Sequence, residues 1–253
     1  LSIYKYGFKK DKRDLRDHIF YSTKFKVALP THVDLRTDCS PIVDQGNLGS
    51  CTANAIASGL REYQLKKDNK WIALSRLFLY WQERKLEGDI ADDSGAQIRD
   101  GMKSLHKIGV CPEIDWPYDI TTFANTPTSK DNTDAAAYKI NEYHRINSLD
   151  LLKAALAEGL PVVIGITVYD SFESANAIST GIVPVPNLKT EQILGGHAIC
   201  CVGYDDTKSA NGQTGYVIFR NSWGTSYGEQ GYGYLPYAFW TQNLVSDCWT
   251  SKD

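Results

Sequence analysis

Four side chains of this sequence have types and spacings that suit covalent acyl chemistry. Cys51 follows the glycine-rich loop DQGNLGS and opens a run, Cys51 to Lys66, in which Ile56, Leu60 and Tyr63 fall at helical spacing. A cysteine in the first turn of a helix faces unpaired backbone N–H groups and the positive end of the macrodipole, which favour thiolate over thiol. Gln45, six residues upstream, brings a side-chain amide toward the same point. With the Cys51 N–H it makes the two donors that a tetrahedral oxyanion needs. Of the five histidines, His197 in LGGHAICCVGY is the best placed to hold the thiolate's charge and to protonate a leaving amine. Asn221 opens NSWG after the strand-like run YVIFR. Its side-chain oxygen is expected to accept from one ring nitrogen of His197 and leave the other facing sulfur, with Trp223 over that bond to exclude water. The bland alternative is packing, because a buried free cysteine also behaves as a small hydrophobe.

These residues need elements to hold them. The first turns after Cys51 carry small side chains (Ala53, Ala55, Ala57), as a helix packed on all sides requires. A second helix is expected over Leu74 to Lys85 with Ser75 as N-cap, a third over Ala96 to Lys107 ended by Gly109, and another from Ser148 to Glu158 stopped by Gly159 and Pro161. Residues 119–137 read as a polar surface connection, and Asp92–Asp93 as a solvated loop. The texture then changes: PVVIGITVY, HAICCVGYDD, TGYVIFRNSWG and YGYLPY are β-branched and aromatic runs separated by turn residues. DDTKSANGQTG reads as a surface hairpin. Helices first and strands second predict an α+β protein with two segregated lobes.

Composition narrows the function classes. The 253 residues are 42% hydrophobic and 23% charged, a globular balance, and the net charge of −3 leaves no footprint for nucleic acid. The longest apolar stretch, Leu160 to Ile166, is too short to span a bilayer. The charge is nevertheless uneven. Residues 1–26 carry eight basic against three acidic side chains, +5, and the remainder 19 against 27, −8. A basic arm on an acidic body is expected either to dock on its own protein or to remain a solvated tail. Six cysteines at 39, 51, 111, 200, 201 and 248 include no C-x-x-C pair, so neither a zinc ribbon nor a dense disulfide framework fits. Cys39, Cys111 and Cys248 leave room for one disulfide of undetermined connectivity. Cys200 and Cys201 are expected to point to opposite faces of a strand.

DQGNLGSC, GGHAICCVGY and NSWG resemble, in order, the signature blocks of papain-like cysteine peptidases. VDLR near the start, WPYD at 116–119 and GEQGYGYLPY after the asparagine block extend the resemblance over roughly Pro30 to Tyr237. In that context the catalytic reading of Cys51 outweighs the packing one. The resemblance implies a two-lobed fold, a helical lobe of about 45–140 and a β-barrel-like lobe of about 141–240, with the site in the cleft between them. It implies Cys51 as nucleophile, His197 as general base and acid, Asn221 as its orienter and Gln45 in the oxyanion hole. Ser94, Gly95 and Ala96 stand where the family pairs its backbone with an extended substrate. Gly165 and Ala198 would line the pocket for the second residue before the scissile bond, and Gly196 and Trp223 complete the substrate-binding set.

Departures from the family pattern are informative. Leu48 replaces a usual disulfide cysteine, and the loop at DDSGA lacks the partner cysteine. Thr52 replaces the tryptophan that commonly follows the nucleophile, and Ala96 a second glycine. The resemblance to a branch with a short proregion casts residues 1–29 as an arm lying along the cleft of a peptidase domain at 30–253, with that arm and peptide or protein substrates as its partners. Expected with it are a monomer, no nucleic-acid or membrane partner, no metal and no organic cofactor. The family habit leans toward secretion and the missing disulfides toward a reducing compartment. The expected reaction is peptide-bond hydrolysis through a thioester acyl-enzyme, with a thiolate–imidazolium pair and a bell-shaped pH profile. Two rivals share the residues: a transpeptidase or acyltransferase using the same thiol, and a catalytically silent peptide-binding module.

Overall fold

A computed structural model describes residues 4–22 and 28–253; Lys24 and Lys26 of the basic arm lie outside the described residues. Helix α1 (Cys51–Ala53) continues through a π-helical stretch, Asn54–Arg61, into α2 (Glu62–Lys67). Every residue from Cys51 to Tyr63 is buried, so the small side chains expected there let other elements close in on all sides. Gly59 is the tightest point, where a Cβ would sit 2.6 Å from the Cys200 Cβ. Helix α3 (Arg76–Glu87) is capped by Ser75, whose Oγ accepts from the Phe78 N–H, and ends at Gly88 with φ 79°. α4 (Ile98–Lys107) buries Met102 and Leu105.

Residues 119–137 are not wholly irregular. They contain α5 (Ser129–Ala135), opened by a reciprocal capping box between Thr128 and Asp131. A seven-residue, mostly polar helix has no apolar stripe for periodicity to detect. α6 (Leu149–Ala157), α7 (Ala175–Thr180) and α8 (Ala238–Thr241) complete the helices, with Ser148 capping α6 as its sequence requires.

Two short strands, β1 (Phe8–Lys9) and β3 (Ala96–Gln97), form a parallel pair. The others are β2 (His32–Asp34), β4 (Glu142–Ile146), β5 (Val162–Tyr169), β6 (Ile193–Ala210), β7 (Gln213–Arg220), β8 (Tyr232–Pro236) and β9 (Val245–Lys252). They make one seven-stranded sheet in the order β4-β9-β5-β6-β7-β8, with β2 on β6. Every pairing in it is antiparallel. The lobe expected to be barrel-like is therefore an open sheet, because its end strands β4 and β8 do not pair with each other. It also reaches past residue 240, since β9 sits inside it between β4 and β5. The expected hairpin joins β6 to β7 through Asn211 and Gly212, both at positive φ.

The sheet divides two cores. Ala198, Cys200 and Val202 of β6 face the helices, while Ile199, Cys201 and Tyr204 face a second cluster with Leu152, Leu156 and Phe172. This is the alternation predicted for the Cys200–Cys201 pair. All six cysteines are free thiols, so the one disulfide that Cys39, Cys111 and Cys248 left room for is not formed.

The N-terminal arm docks in two places. Phe8 and Lys9 pair with Ala96 and Gln97, and Ile19 bridges Arg145 beside β4, with Phe20 buried. Between them Arg145 binds Asp11 at 2.8 Å, Asp17 at 2.9 Å and Asp247 at 3.0 Å, while Arg99 also holds Asp17. The solvated-tail alternative fails for this described part.

Gly59→Ala tests the helix–sheet seam. Alanine normally favours a helix over glycine, but overpacking against Cys200 reverses the sign, and we expect a loss of about 1–3 kcal/mol in denaturant unfolding. A gain in stability would show that the seam has room.

Candidate active site

The loop before α1 is shaped by bonds to the sheet. Gln45 receives a hydrogen bond on Oε1 from Ser222 Oγ (2.6 Å), and its backbone N–H donates to the Ser222 carbonyl (2.8 Å). Nε2 is thereby turned inward, donating to Leu48 O at 2.9 Å and to the carbonyl of Lys5, on the arm, at 3.1 Å. Cys51, fully buried at the helix start, lies against β6. The backbone N–H groups of Ala198, Gly7 and Thr52 act on its sulfur.

His197, also fully buried, donates from Nε2 to Asn221 Oδ1 at 2.8 Å. Ser222 N–H donates to the same oxygen at 2.9 Å, which fixes the amide orientation. Nδ1 of His197 has no hydrogen-bond partner among the described residues. Trp223 stacks on the imidazole with centroids 4.9 Å apart, and Phe172 meets it edge-on at 6.2 Å. The bond to Asn221 is thus walled off from water, as Trp223 was expected to do.

The sequence-predicted binding residues converge on the arm. The Ala96 N–H donates to Gly7 O at 2.7 Å, and Ser94 Oγ accepts from Lys9 Nζ at 3.1 Å. The Phe8 ring lies over Gly165, where any Cβ would overlap it, and the Phe8 backbone and ring crowd Gly196. Gly95 and Gly49 close on Gly7 from both sides, so a side chain at position 7 would overlap the Gly49 carbonyl. On the far side of Cys51, Tyr4 stacks on Trp223 at 3.7 Å with the planes 2° apart. Residues 4–9 therefore run through the whole cleft.

A model of the family described as papain family cysteine protease matches residues 29–243. The chain belongs to that family. Xylellain, a cysteine protease from Xylella fastidiosa, is 40% identical with TM-score 0.88, covering 100% of this chain and 98% of its own. An uncharacterized peptidase C1-like protein of Acanthamoeba polyphaga mimivirus is 39% identical over 98% of this chain and 86% of its own length. A cathepsin L-like peptidase of Aedes aegypti is 29% identical over 81% of this chain, which spans only 58% of that relative. The digestive procathepsin L 3 of Tenebrio molitor, at 23% identity and TM-score 0.72, shares the fold. The protein is thus a papain-family cysteine peptidase, a hydrolase.

Sequence reasoning missed several residues of this site. Asp93, read as solvated, is nearly buried: it accepts from the Gly49 N–H and from Tyr80 Oη, and it pairs with Lys5. Thr52, which stands in place of the usual tryptophan, donates to Glu83 Oε2 at 2.7 Å. Glu83 is fully buried, which drives its pKa well above the usual carboxylate range. Tyr118 donates to the Gln45 carbonyl at 2.9 Å and braces the loop from outside.

Burial under the docked arm works against the thiolate–imidazolium pair expected from the helix terminus. Burial pushes the Cys51 thiol up to about 11, against the lowering effect of the three N–H groups. Burial likewise takes His197 down to about 4, against the raising effect of Asn221. Removing the arm returns water to both groups, so the thiol falls and the imidazole rises. Iodoacetamide labelling of Cys51, located by peptide mass, should therefore reach its half-maximal rate several pH units lower in residues 30–253 than in the full chain. Equal half-points would contradict this.

Proposed function

We propose that Cys51, His197, Asn221 and Gln45 carry the peptidase reaction and that the N-terminal arm is a short proregion blocking it. The observation that carries this reading is the arm itself. A peptide carbonyl, that of Lys5, already accepts from Gln45 Nε2 beside a buried cysteine and a histidine tied to Asn221. A substrate carbonyl there would receive the same donor, with the Cys51 N–H as second.

In the reaction, the thiol proton moves to His197 Nδ1 and the sulfur attacks the scissile carbonyl. The resulting oxyanion is held by the Gln45 amide. His197 returns the proton to the leaving amine as the C–N bond breaks, leaving a thioester. Water, deprotonated by His197, then releases the acid and the thiol. Asn221 keeps Nε2–H engaged, so that Nδ1 is the basic nitrogen.

The acyl side of the substrate would pair with Ser94–Ala96 and place an apolar side chain where Phe8 lies, between Gly165, Gly196 and Ala198. The division at residue 30 follows from the same reading: residues 30–253 are the working peptidase, and the arm is an inhibitory segment bound as a pseudo-ligand.

A fluorogenic peptide with phenylalanine two positions before the bond tests this under reducing conditions. We expect residues 30–253 to cleave it and the full chain to be silent at early times. Cys51→Ala in the short form should lose roughly 10³-fold or more, and Gln45→Ala about 10²–10³-fold in kcat. Cleavage by the Cys51→Ala form at an undiminished rate would overturn the assignment.

A further inference from the structure

The two halves of the cleft differ in chemistry. The half that holds Phe8 is walled by glycine and alanine, whereas the half beyond His197, where the leaving amine must depart, is aromatic and acidic. Tyr4 lies flat on Trp223, and Tyr6 tilts against the same indole at 6.1 Å and meets His197 edge-on at 5.8 Å. The Tyr6 hydroxyl donates to the Glu173 carboxylate at 2.5 Å. Glu173 ends the turn Asp170–Glu173 that follows β5, and the turn is anchored by buried Phe172 against His197 and Trp223 at 6.2 and 5.6 Å. Asp44 bridges the Trp223 backbone from the other lobe. After burial, the charges of Glu173 and then Asp44 raise the Tyr4 phenol pKa, so both carboxylates act on the space over the indole.

We propose that Glu173, with Asp44 beside Trp223, sets substrate preference on the leaving-group side, selecting arginine or lysine in the first two positions after the scissile bond and rejecting aspartate and glutamate there. The inference rests on the reaction centre proposed above and adds to it the substrate class. A guanidinium lying on Trp223 gains a cation–π contact in the place of the Tyr4 ring, and its N–H groups reach the Glu173 carboxylate that the Tyr6 phenol now holds. A substrate carboxylate in the same position meets two like charges in a partly desolvated cleft.

The test uses the full chain with its arm loosened by Gly7→Val and Phe8→Ala, and quenched peptides that share one acyl side and carry arginine, glutamine or glutamate after the bond. We expect kcat/KM for arginine to exceed that for glutamate at least tenfold. Glu173→Gln should collapse most of that ratio and Glu173→Arg should reverse it. Glu173→Ala replaces the glutamine variant where circular dichroism shows misfolding. A ratio near one in the parent, or a ratio unchanged by Glu173→Gln, overturns the proposal. A peptidyl coumarylamide, which has no residue after the bond, is run with each preparation. Its cleavage alongside a flat ratio overturns the leaving-side inference alone, whereas failure of both the loosened chain and residues 30–253 to cleave any substrate overturns the reaction centre and this inference with it.

Discussion

The site depends on a seam, where the helix that begins at Cys51 meets strand β6. The nucleophile belongs to the helical layer and the His197–Asn221 pair to the sheet, so no local propensity sets their separation. It is set by how closely the two layers approach. Gly59 lets the helix close onto Cys200, and small residues along the π-helical turn keep that approach uniform. Ser222 then ties the layers by polar bonds: it holds Gln45 with its hydroxyl and carbonyl, and Asn221 with its N–H. One residue thus couples the proposed oxyanion donor to the proposed orienter of the histidine, and interiors packed at crystal-like density transmit such constraints with little slack.

In the proposed reading, the arm turns this constraint into control. It makes good contacts at each subsite: Tyr4 on Trp223, the Lys5 carbonyl on Gln45, Gly7 between Gly49 and Gly95, and Phe8 over Gly165. Lys5 and Lys9 pair with Asp93 and Glu87, and the Arg145 cluster anchors the arm farther along. Docking also buries Cys51 and His197, which raises the thiol pKa and lowers that of the imidazole. The proposed block is therefore electrostatic as well as steric. The same burial that makes the docked state snug works against the charge separation on which thiol catalysis depends.

Much of this was legible in the residues. The ordered papain-like blocks imply that Gln45, Cys51, His197 and Asn221 share one cleft, and caps such as Ser75 and Ser148 fall where hydrogen bonding demands an oxygen. The alternation of Cys200 and Cys201 follows from strand geometry. What escaped depends on long-range partners. Asp93 looks like a loop carboxylate until Gly49, Tyr80 and Lys5 surround it. Glu83 sits in a helix among charged neighbours, and nothing local marks it as buried. The arm has no periodicity to read, because its order comes from the cleft walls and from a parallel pairing only two residues long. The open sheet differs from a barrel for a similar reason: closure is decided by which edge strands meet, and β9 enters between edge strand β4 and β5.

The central claim is that one cleft holds both the reaction centre and the arm that silences it. It is tested most directly by Gly7→Val in the otherwise intact chain, because a side chain at position 7 overlaps the Gly49 carbonyl and forces the arm out without removing any cleft residue. Initial rates on a fluorogenic peptide should rise from near background in the wild type to a level approaching that of residues 30–253. Equal initial rates for wild type and Gly7→Val, whether both high or both absent while residues 30–253 are active, would contradict the account.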